Sequence, residues 1–193
     1  MVVKIGVLAL QGDVAEHRRM LFEAGAEPVL VKREEQLEDI AGLIVPGGES
    51  TTIGKLLRRF GILEPLQQRI AEGLPVYGTC AGMILLADNV EDPGRDQPLV
   101  GGMDITVRRN AFGRQRESFE TDLDVPAIGG EPLHAVFIRA PSIERLGDAV
   151  EPLATVDGKI VAARQENLLV TSFHPELSDD SRMHQYFMEM ARA

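Results

Sequence analysis

The chain has one cysteine, no tryptophan and only 5% aromatic residues among its 193 positions. With a single thiol no intramolecular disulfide can form, so a reducing, cytoplasmic setting is expected. Scarce aromatics imply a core of aliphatic side chains, and at 44% hydrophobic residues there are enough of them for one sizeable core. Basic residues are also short: 20 Lys and Arg stand against 30 Asp and Glu, a formal net charge of -10. That balance argues against a general nucleic-acid-binding surface. Membrane-length apolar runs are missing. Val2–Leu10 is apolar apart from Lys4, but it is too short to span a bilayer and no stop-transfer or cleavage pattern follows it. It reads as a buried first strand.

What is present is alternation. Strands are expected at Val3–Leu10, Pro28–Lys32, Gly42–Val45 and Leu74–Gly78. Between and after them come helical patterns: Asp13 (as cap) to Ala24, a short Gln36–Ile40, Ser50 or Thr51 to Phe60, Glu64–Glu72 and Ala81–Asn89. This β-α order predicts a three-layer α/β fold, a mostly parallel twisted sheet with helices on both faces. The second half predicts further strands at Asp104–Arg108, Ser118–Leu123, His134–Ile138, Ala154–Val156, Ile160–Arg164 and Leu168–Phe173; turns such as Asp157-Gly158 between some of them suggest hairpins and so extra antiparallel strands, while the end of Leu168–Phe173 is expected on the same sheet edge as Leu74–Gly78. A last helix is expected from Asp180 to Ala193, and a surface loop over Glu91–Pro98. No internal repeat or long polar linker divides the chain.

The sharpest local feature is Gly78-Thr79-Cys80-Ala81-Gly82, between a short strand and an apolar helix. G-x-C-x-G is the thiol form of the nucleophile elbow. A tight strand-to-helix turn holds the nucleophile over the C-terminal edge of the sheet, small neighbours avoid a clash, and a helix N-terminus favours the reactive thiolate. The bland alternative is a buried structural cysteine. A thiolate nucleophile needs a base and a group to orient that base. His174-Pro175-Glu176 ends the last apolar strand. Residues i and i+2 of an extended segment point the same way, so the carboxylate can set the imidazole tautomer. A surface turn is the competing reading of that tripeptide. His17 and His184 fall in helical patterns and are expected to face solvent; His134 precedes a strand and has no evident acidic partner. An acyl-transfer site also needs oxyanion donors. Pro46-Gly47-Gly48-Glu49-Ser50 closes the third strand, and the amides of Gly48 and Ala81 are the natural pair. A phosphate loop is disfavoured because Gly54-Lys55 is followed by Leu56.

Together these segments resemble the triad class of glutamine amidotransferases. Leu8-Ala9-Leu10-Gln11-Gly12, Gly47-Gly48-Glu49-Ser50-Thr51-Thr52, Gly78 to Met83, Arg109-Asn110-Ala111-Phe112-Gly113-Arg114-Gln115, Ser118-Phe119-Glu120, Phe137-Ile138-Arg139-Ala140-Pro141 and Phe173-His174-Pro175-Glu176-Leu177 resemble, more narrowly, the glutaminase subunit of pyridoxal 5'-phosphate synthase. The resemblance runs from the first strand to the last helix. It implies one glutamine amidotransferase domain over residues 1–193, with a flavodoxin-like fold. It implies Cys80 as nucleophile, His174 as base and then acid, and Glu176 as the group orienting His174. Gly48, Glu49, Ser50, Arg109, Ile138 and Arg139 would line the glutamine site, the arginines suiting the substrate carboxylate. Gln11 resembles the residue that completes the oxyanion hole when a partner docks; a plain turn residue is the alternative. The implied partner is the synthase barrel subunit, in a hetero-oligomer, which receives ammonia through an internal route and joins it to a pentose phosphate and a triose phosphate. No metal, organic cofactor, nucleic acid or membrane is implied. Rival readings are the glutaminase of a histidine, anthranilate or cobalamin-type amidotransferase, a stand-alone cysteine hydrolase, and a non-catalytic subunit that retains the fold.

Overall fold

The apolar runs at Ile5–Leu8, Gly42–Val45 and Val76–Thr79 form short strands closed to water on both sides, which is why they lack an alternating pattern; the edge strand at Glu27–Val31 is only partly buried. The computed structural model describes residues 2–91, 96–113 and 117–193. The chain runs through β1 (Lys4–Leu8), α1 (Val14–Glu23), β2 (Glu27–Val31), a 3-10 turn at Glu34–Leu37, β3 (Gly42–Val45), α2 (Ser50–Arg59), α3 (Leu63–Ala71), β4 (Val76–Thr79) and α4 (Ala81–Leu86). It continues through β5 (Ala87–Val90), β6 (Met103–Arg108), β7 (Ser118–Leu123), β8 (Leu133–Ile138), β9 (Ser142–Leu146), β10 (Glu151–Val156), β11 (Lys159–Gln165), β12 (Leu168–Thr171) and α5 (Arg182–Met190). Residues 92–95 of the expected loop Glu91–Pro98, and the motif residues Arg114 and Gln115, lie outside the described residues.

Among the described residues ten strands form one sheet, in the order β2-β1-β3-β4-β12-β11-β9-β6-β5, with β10 paired to β11. The β2 to β12 portion is parallel; β11, β9 and β6 add antiparallel partners, and β5 lies parallel on β6. β7 and β8 make a separate antiparallel ribbon. Helices α2, α3 and α4 bury Ile53, Leu57, Leu66 and Leu85 against one face, with Leu43 and Val76 of the sheet. Leu21 of α1 and Met183 and Phe187 of α5 bury against the other, with Ile5, Ile44 and Leu169. The ribbon covers the same second face through Phe137, whose ring stacks on Phe119 at 4.6 Å and meets Phe173 at 5.7 Å. Side chains of this size each contribute roughly 1.5–3 kcal/mol when fully buried.

Two elements depart from expectation. The helix expected to reach Asn89 stops at Leu86, and Ala87–Val90 turns into strand β5, its Asp88 carboxylate accepting from the Gly102 amide at 2.8 Å. Ser142–Leu146 had no assignment; it is β9, held by pairing with β6. Both owe their form to strand partners distant in sequence, which a local reading does not weigh.

The fold positions a site through one register. β4 and β12 are parallel neighbours with Thr79 opposite Thr171, and the Cys80 amide donates to the Thr171 carbonyl at 2.8 Å. The segments after β1, β3, β4 and β12 therefore emerge together at the C-terminal edge of the parallel strands, where open α/β sheets bind their ligands. No helix of the described residues is long and apolar enough to cross a membrane.

Candidate active site

Cys80 sits at the tip of the β4–α4 turn with φ 48 and ψ -102, a backbone conformation that side-chain-bearing residues rarely adopt. The flanking glycines explain how the turn closes. A Cβ on Gly82 would collide with the Val45 carbonyl oxygen, and one on Gly78 would lie 2.5 Å from the Gly82 carbonyl group. Only glycine lets α4 lie this close to β3 and β4. The Cys80 sulfur is largely buried and donates weakly to the Ile138 carbonyl at 3.8 Å.

His174 approaches from β12. Its amide donates to the Val136 carbonyl of β8 at 2.8 Å, and Nδ1 lies 2.7 Å from Glu176 Oε1. The route to that contact differs from expectation: Pro175–Leu177 is a 3-10 turn with His174 at its start, so the carboxylate curls back to the ring rather than sharing a strand face. Glu176 has no exposed surface. A second carboxylate also faces the ring, Asp13 Oδ2 at 3.3 Å from Nδ1. Asp13 makes no capping hydrogen bond to α1, the role expected of it. The imidazole is pushed up to about 12: burial lowers it most strongly, but hydrogen bonds with Asp13, Cys80 and Glu176 together more than reverse that. These contacts favour the charged ring, with one proton on the nitrogen facing Glu176 and the other on the side of Cys80. Asp13, His174 and Glu176 offer ligand atoms within 4.8 Å of one another, a spacing compatible with a cation. The hydrogen bonds already made account for the cluster without one.

Cys80 and His174 open into a cleft of about 520 Å³. Gln11, Gly48, Glu49, Ser50, Ala81, Arg109, Ile138 and Arg139 line it, as do Asp13, Ile84 and Asn110, which were not expected in the site. A larger groove of about 790 Å³ lies beside Val2, Phe22 and Pro28, but no nucleophile and base meet there. Chemistry, rather than size, distinguishes the site. Glu49 reaches the cleft as part of a cap. Its carboxylate accepts from the Thr51 amide at 3.1 Å and the Thr52 amide at 2.8 Å, opening α2 where Ser50 or Thr51 was expected to do so. Burial pushes its carboxyl up, but the Thr52 and Thr51 hydrogen bonds outweigh it and hold the group below its usual range. Gln11 turns its carbonyl oxygen inward, accepting from the Glu49 amide at 2.8 Å.

Residues 7–193 match the model of the SNO glutamine amidotransferase family. The chain belongs to that family. A Frankia alni protein named Pyridoxal 5'-phosphate synthase subunit PdxT is 60% identical over 190 residues, 98% of this chain and 96% of that one. The Carboxydothermus hydrogenoformans protein of the same name is 58% identical over 187 residues, 97% of each chain. A crystal structure of a glutamine amidotransferase superposes with a TM-score of 0.92 at 50% identity, covering 98% of this chain and 99% of that one.

In this SNO-family glutamine amidotransferase the remaining histidines are not where the sequence suggested. His17 and His184 have no exposed surface and lie behind Glu176. Their neighbours explain why: His17 shares a helix face with Met20 and Leu21, and His184 with Phe187 and Met188, all buried. That i, i+3, i+4 spacing is visible in the sequence and outweighs the polarity of a single ring. His134 does have acidic partners. Across the β7–β8 ribbon it meets Glu120 at 2.9 Å and Asp122 at 3.3 Å, and these hydrogen bonds raise its pKa at the surface.

The buried pair gives an expected pH dependence. Burial lowers both rings from the ordinary 6.5, His184 to about 3, with Arg19 adding to the latter shift. They are neutral when folded and take up protons on unfolding. Stability therefore falls as the pH drops below about 6.5, by up to roughly 1.4 kcal/mol per pH unit and ring. His174 has the opposite sign: its contribution is present below about 6.5 and lost as the pH climbs toward about 12. Urea midpoints across pH should peak near neutrality. A midpoint that keeps rising below about pH 6 would contradict the assignment.

Proposed function

We propose that this chain is the glutaminase subunit of a pyridoxal 5'-phosphate synthase, hydrolysing L-glutamine to glutamate and ammonia. The observation that supports the chemistry best is the meeting of a strained Cys80, an imidazole held in its charged form and a fully buried Glu176 at one cleft. Identity of 58–60% over 97–98% of the chain to proteins named as PdxT supports the pathway over the histidine, anthranilate and cobalamin alternatives.

In the proposed sequence the Cys80 thiolate attacks the side-chain amide carbon of glutamine. The C=O electrons move onto oxygen, and the amides of Gly48 and Ala81 receive the resulting charge; Ala81 begins α4, and first-turn amides have no partner within their helix. His174 delivers its proton to the amine as the C–N bond breaks, leaving a glutamyl thioester and ammonia. The now neutral His174 takes a proton from water, which attacks the thioester; glutamate departs and the thiolate returns. Glu176 keeps the Nδ1 proton of His174 directed at itself throughout. Arg109 and Arg139 suit the α-carboxylate of glutamine, and Glu49, Ser50 and Ile138 shape the cleft around it. No step calls on a metal or organic cofactor.

The partner is a separate synthase barrel that takes the ammonia through an enclosed route and combines it with a pentose phosphate and a triose phosphate. Gln11 gives a reason for dependence on it. With its carbonyl oxygen accepting from the Glu49 amide and lying close to Gly48, it places an acceptor where donors are needed. Docking that turns the amide over would complete the oxyanion hole. The test is glutamine hydrolysis with and without the synthase. Low turnover alone and a several-fold rise in the complex is the expected result. Full turnover alone supports a stand-alone hydrolase, and none in either case a non-catalytic subunit.

A further inference from the structure

Behind the triad lies a buried polar chain that the proposed chemistry leaves unused. Glu176 gives Oε1 to His174, while its Oε2 is buried without a hydrogen-bond partner among the described residues. His17 Nε2 lies 3.4 Å from it on α1 and 3.1 Å from Oγ1 of Thr79, the residue immediately before the nucleophile. His17 Nδ1 in turn lies 2.9 Å from His184 Nε2 on α5, and none of the three side chains His17, Glu176 and His184 is exposed.

The protons can be assigned by elimination. Were His17 protonated on Nδ1, the Thr79 hydroxyl could donate to its Nε2, but His184 would have to accept at Nε2 and carry its own proton on Nδ1, a buried N–H with no partner among the described residues, while Glu176 Oε2 faced a lone pair. With the proton on Nε2, His17 donates toward Oε2 and the Thr79 hydroxyl. Its Nδ1 must then accept, and the Nε2–H of His184 supplies that donor. His184 Nδ1 is left as a bare lone pair, which agrees with its having no hydrogen-bond partner among the described residues. The neutral state that burial imposes on both rings fits this arrangement, since each then has one proton to place.

We propose that His17 is a positioning residue of the active site, holding Glu176 ionised and oriented through an Nε2–H bond, with His184 setting its tautomer. It acts through Glu176 and His174 and never touches substrate. The inference rests on the glutaminase reading. The groups facing Glu176 are His174, Asp13 at the start of α1, His17 on α1, Tyr77 on β4 and, one step removed, His184 on α5 beside Arg19. The carboxylate also takes a hydrogen bond from its own backbone amide, and among these side chains His17 is the one whose ring N–H faces the second oxygen. Without that donor the buried carboxyl protonates more readily, so the acid limb of the rate profile moves to higher pH.

The experiment compares His17→Gln, His17→Asn and His17→Leu in the chain assayed with its synthase, following kcat, KM for glutamine and the pH profile, with urea midpoints alongside. Gln places an N–H near the Nε2 position; Asn reaches only as far as Nδ1; Leu has no donor. The expected result is a fall in kcat of roughly 10- to 100-fold for Asn and Leu at near-constant KM. Their acid limb should shift upward, and Gln should restore most of the loss. Should Leu fail to fold, the Gln and Asn pair decides, since both are polar and similarly buried. Equal activity in Gln and Asn, or a loss in KM and stability with an unmoved pH profile, overturns the proposal. An inactive wild-type complex overturns the glutaminase reading itself, whereas an active one indifferent to His17→Asn overturns this inference alone.

Discussion

Cys80→Ala lowers glutamine hydrolysis in the complex by on the order of 10⁴-fold or more, with the fold intact. The size follows from what is removed. The covalent route through a thioester disappears, and only binding and the oxyanion donors remain, so about 5 kcal/mol or more of transition-state stabilisation is lost. The fold survives because the thiol contributes little to packing: its polar contacts are the long 3.8 Å approach to the Ile138 carbonyl and the hydrogen bond with His174. Alanine inherits the same positive φ and therefore the same strain. Glutamine should bind the variant nearly as well as before, because Arg109, Arg139 and the Gly48 loop are untouched. Isothermal titration beside a steady-state assay separates the two quantities. A variant retaining a tenth of the original rate would exclude Cys80 as the nucleophile.

Glu176→Gln has the second-largest effect, a fall in kcat of roughly 10²- to 10⁴-fold with KM little changed. The side chains are nearly isosteric, so a fully buried site keeps its volume. What changes is the charge and the proton pattern. A neutral amide no longer stabilises the charged form of His174, and it can turn its NH₂ toward Nδ1, which then has to accept. The ring would carry its proton on the wrong nitrogen for taking one from Cys80. Asp13 at 3.3 Å from Nδ1 softens the loss by offering a second carboxylate, which places the expected value below that for Cys80→Ala. Kinetics of Glu176→Gln with Asp13→Asn, alone and together, should therefore show more than additive loss. Simple additivity would mean that Asp13 does not share the His174 proton.

The parts of this site that were legible from sequence are those where local chain geometry carries the chemistry. Gly78-Thr79-Cys80-Ala81-Gly82 announces its turn because only glycine tolerates the approach of Val45 and of its own helix. His174 and Glu176 lie two residues apart, and the parallel alternation of the first half puts their strand beside that of Cys80. Hidden from that reading was everything that depends on a distant partner. β9 exists because β6 runs beside it, and β5 because β6 extends the pairing. Asp13 occupies the cap position of α1 yet turns toward His174, and Glu49 takes over the start of α2 although Ser and Thr are the more favoured caps. His17 and His184 depart from expectation for a different reason. Their helices are amphipathic, and both rings sit on the apolar face, so periodicity predicted burial where residue type suggested exposure.

The central claim is that one thiolate carries the reaction. The most direct measurement treats the chain, with its synthase present, with an electrophilic glutamine analogue and maps the adduct by peptide mass spectrometry. The expected result is a single adduct on Cys80, competed by glutamine, slowed in Glu176→Gln and absent in Cys80→Ala. An unmodified Cys80 in a complex that hydrolyses glutamine, or an adduct on another residue, would contradict it.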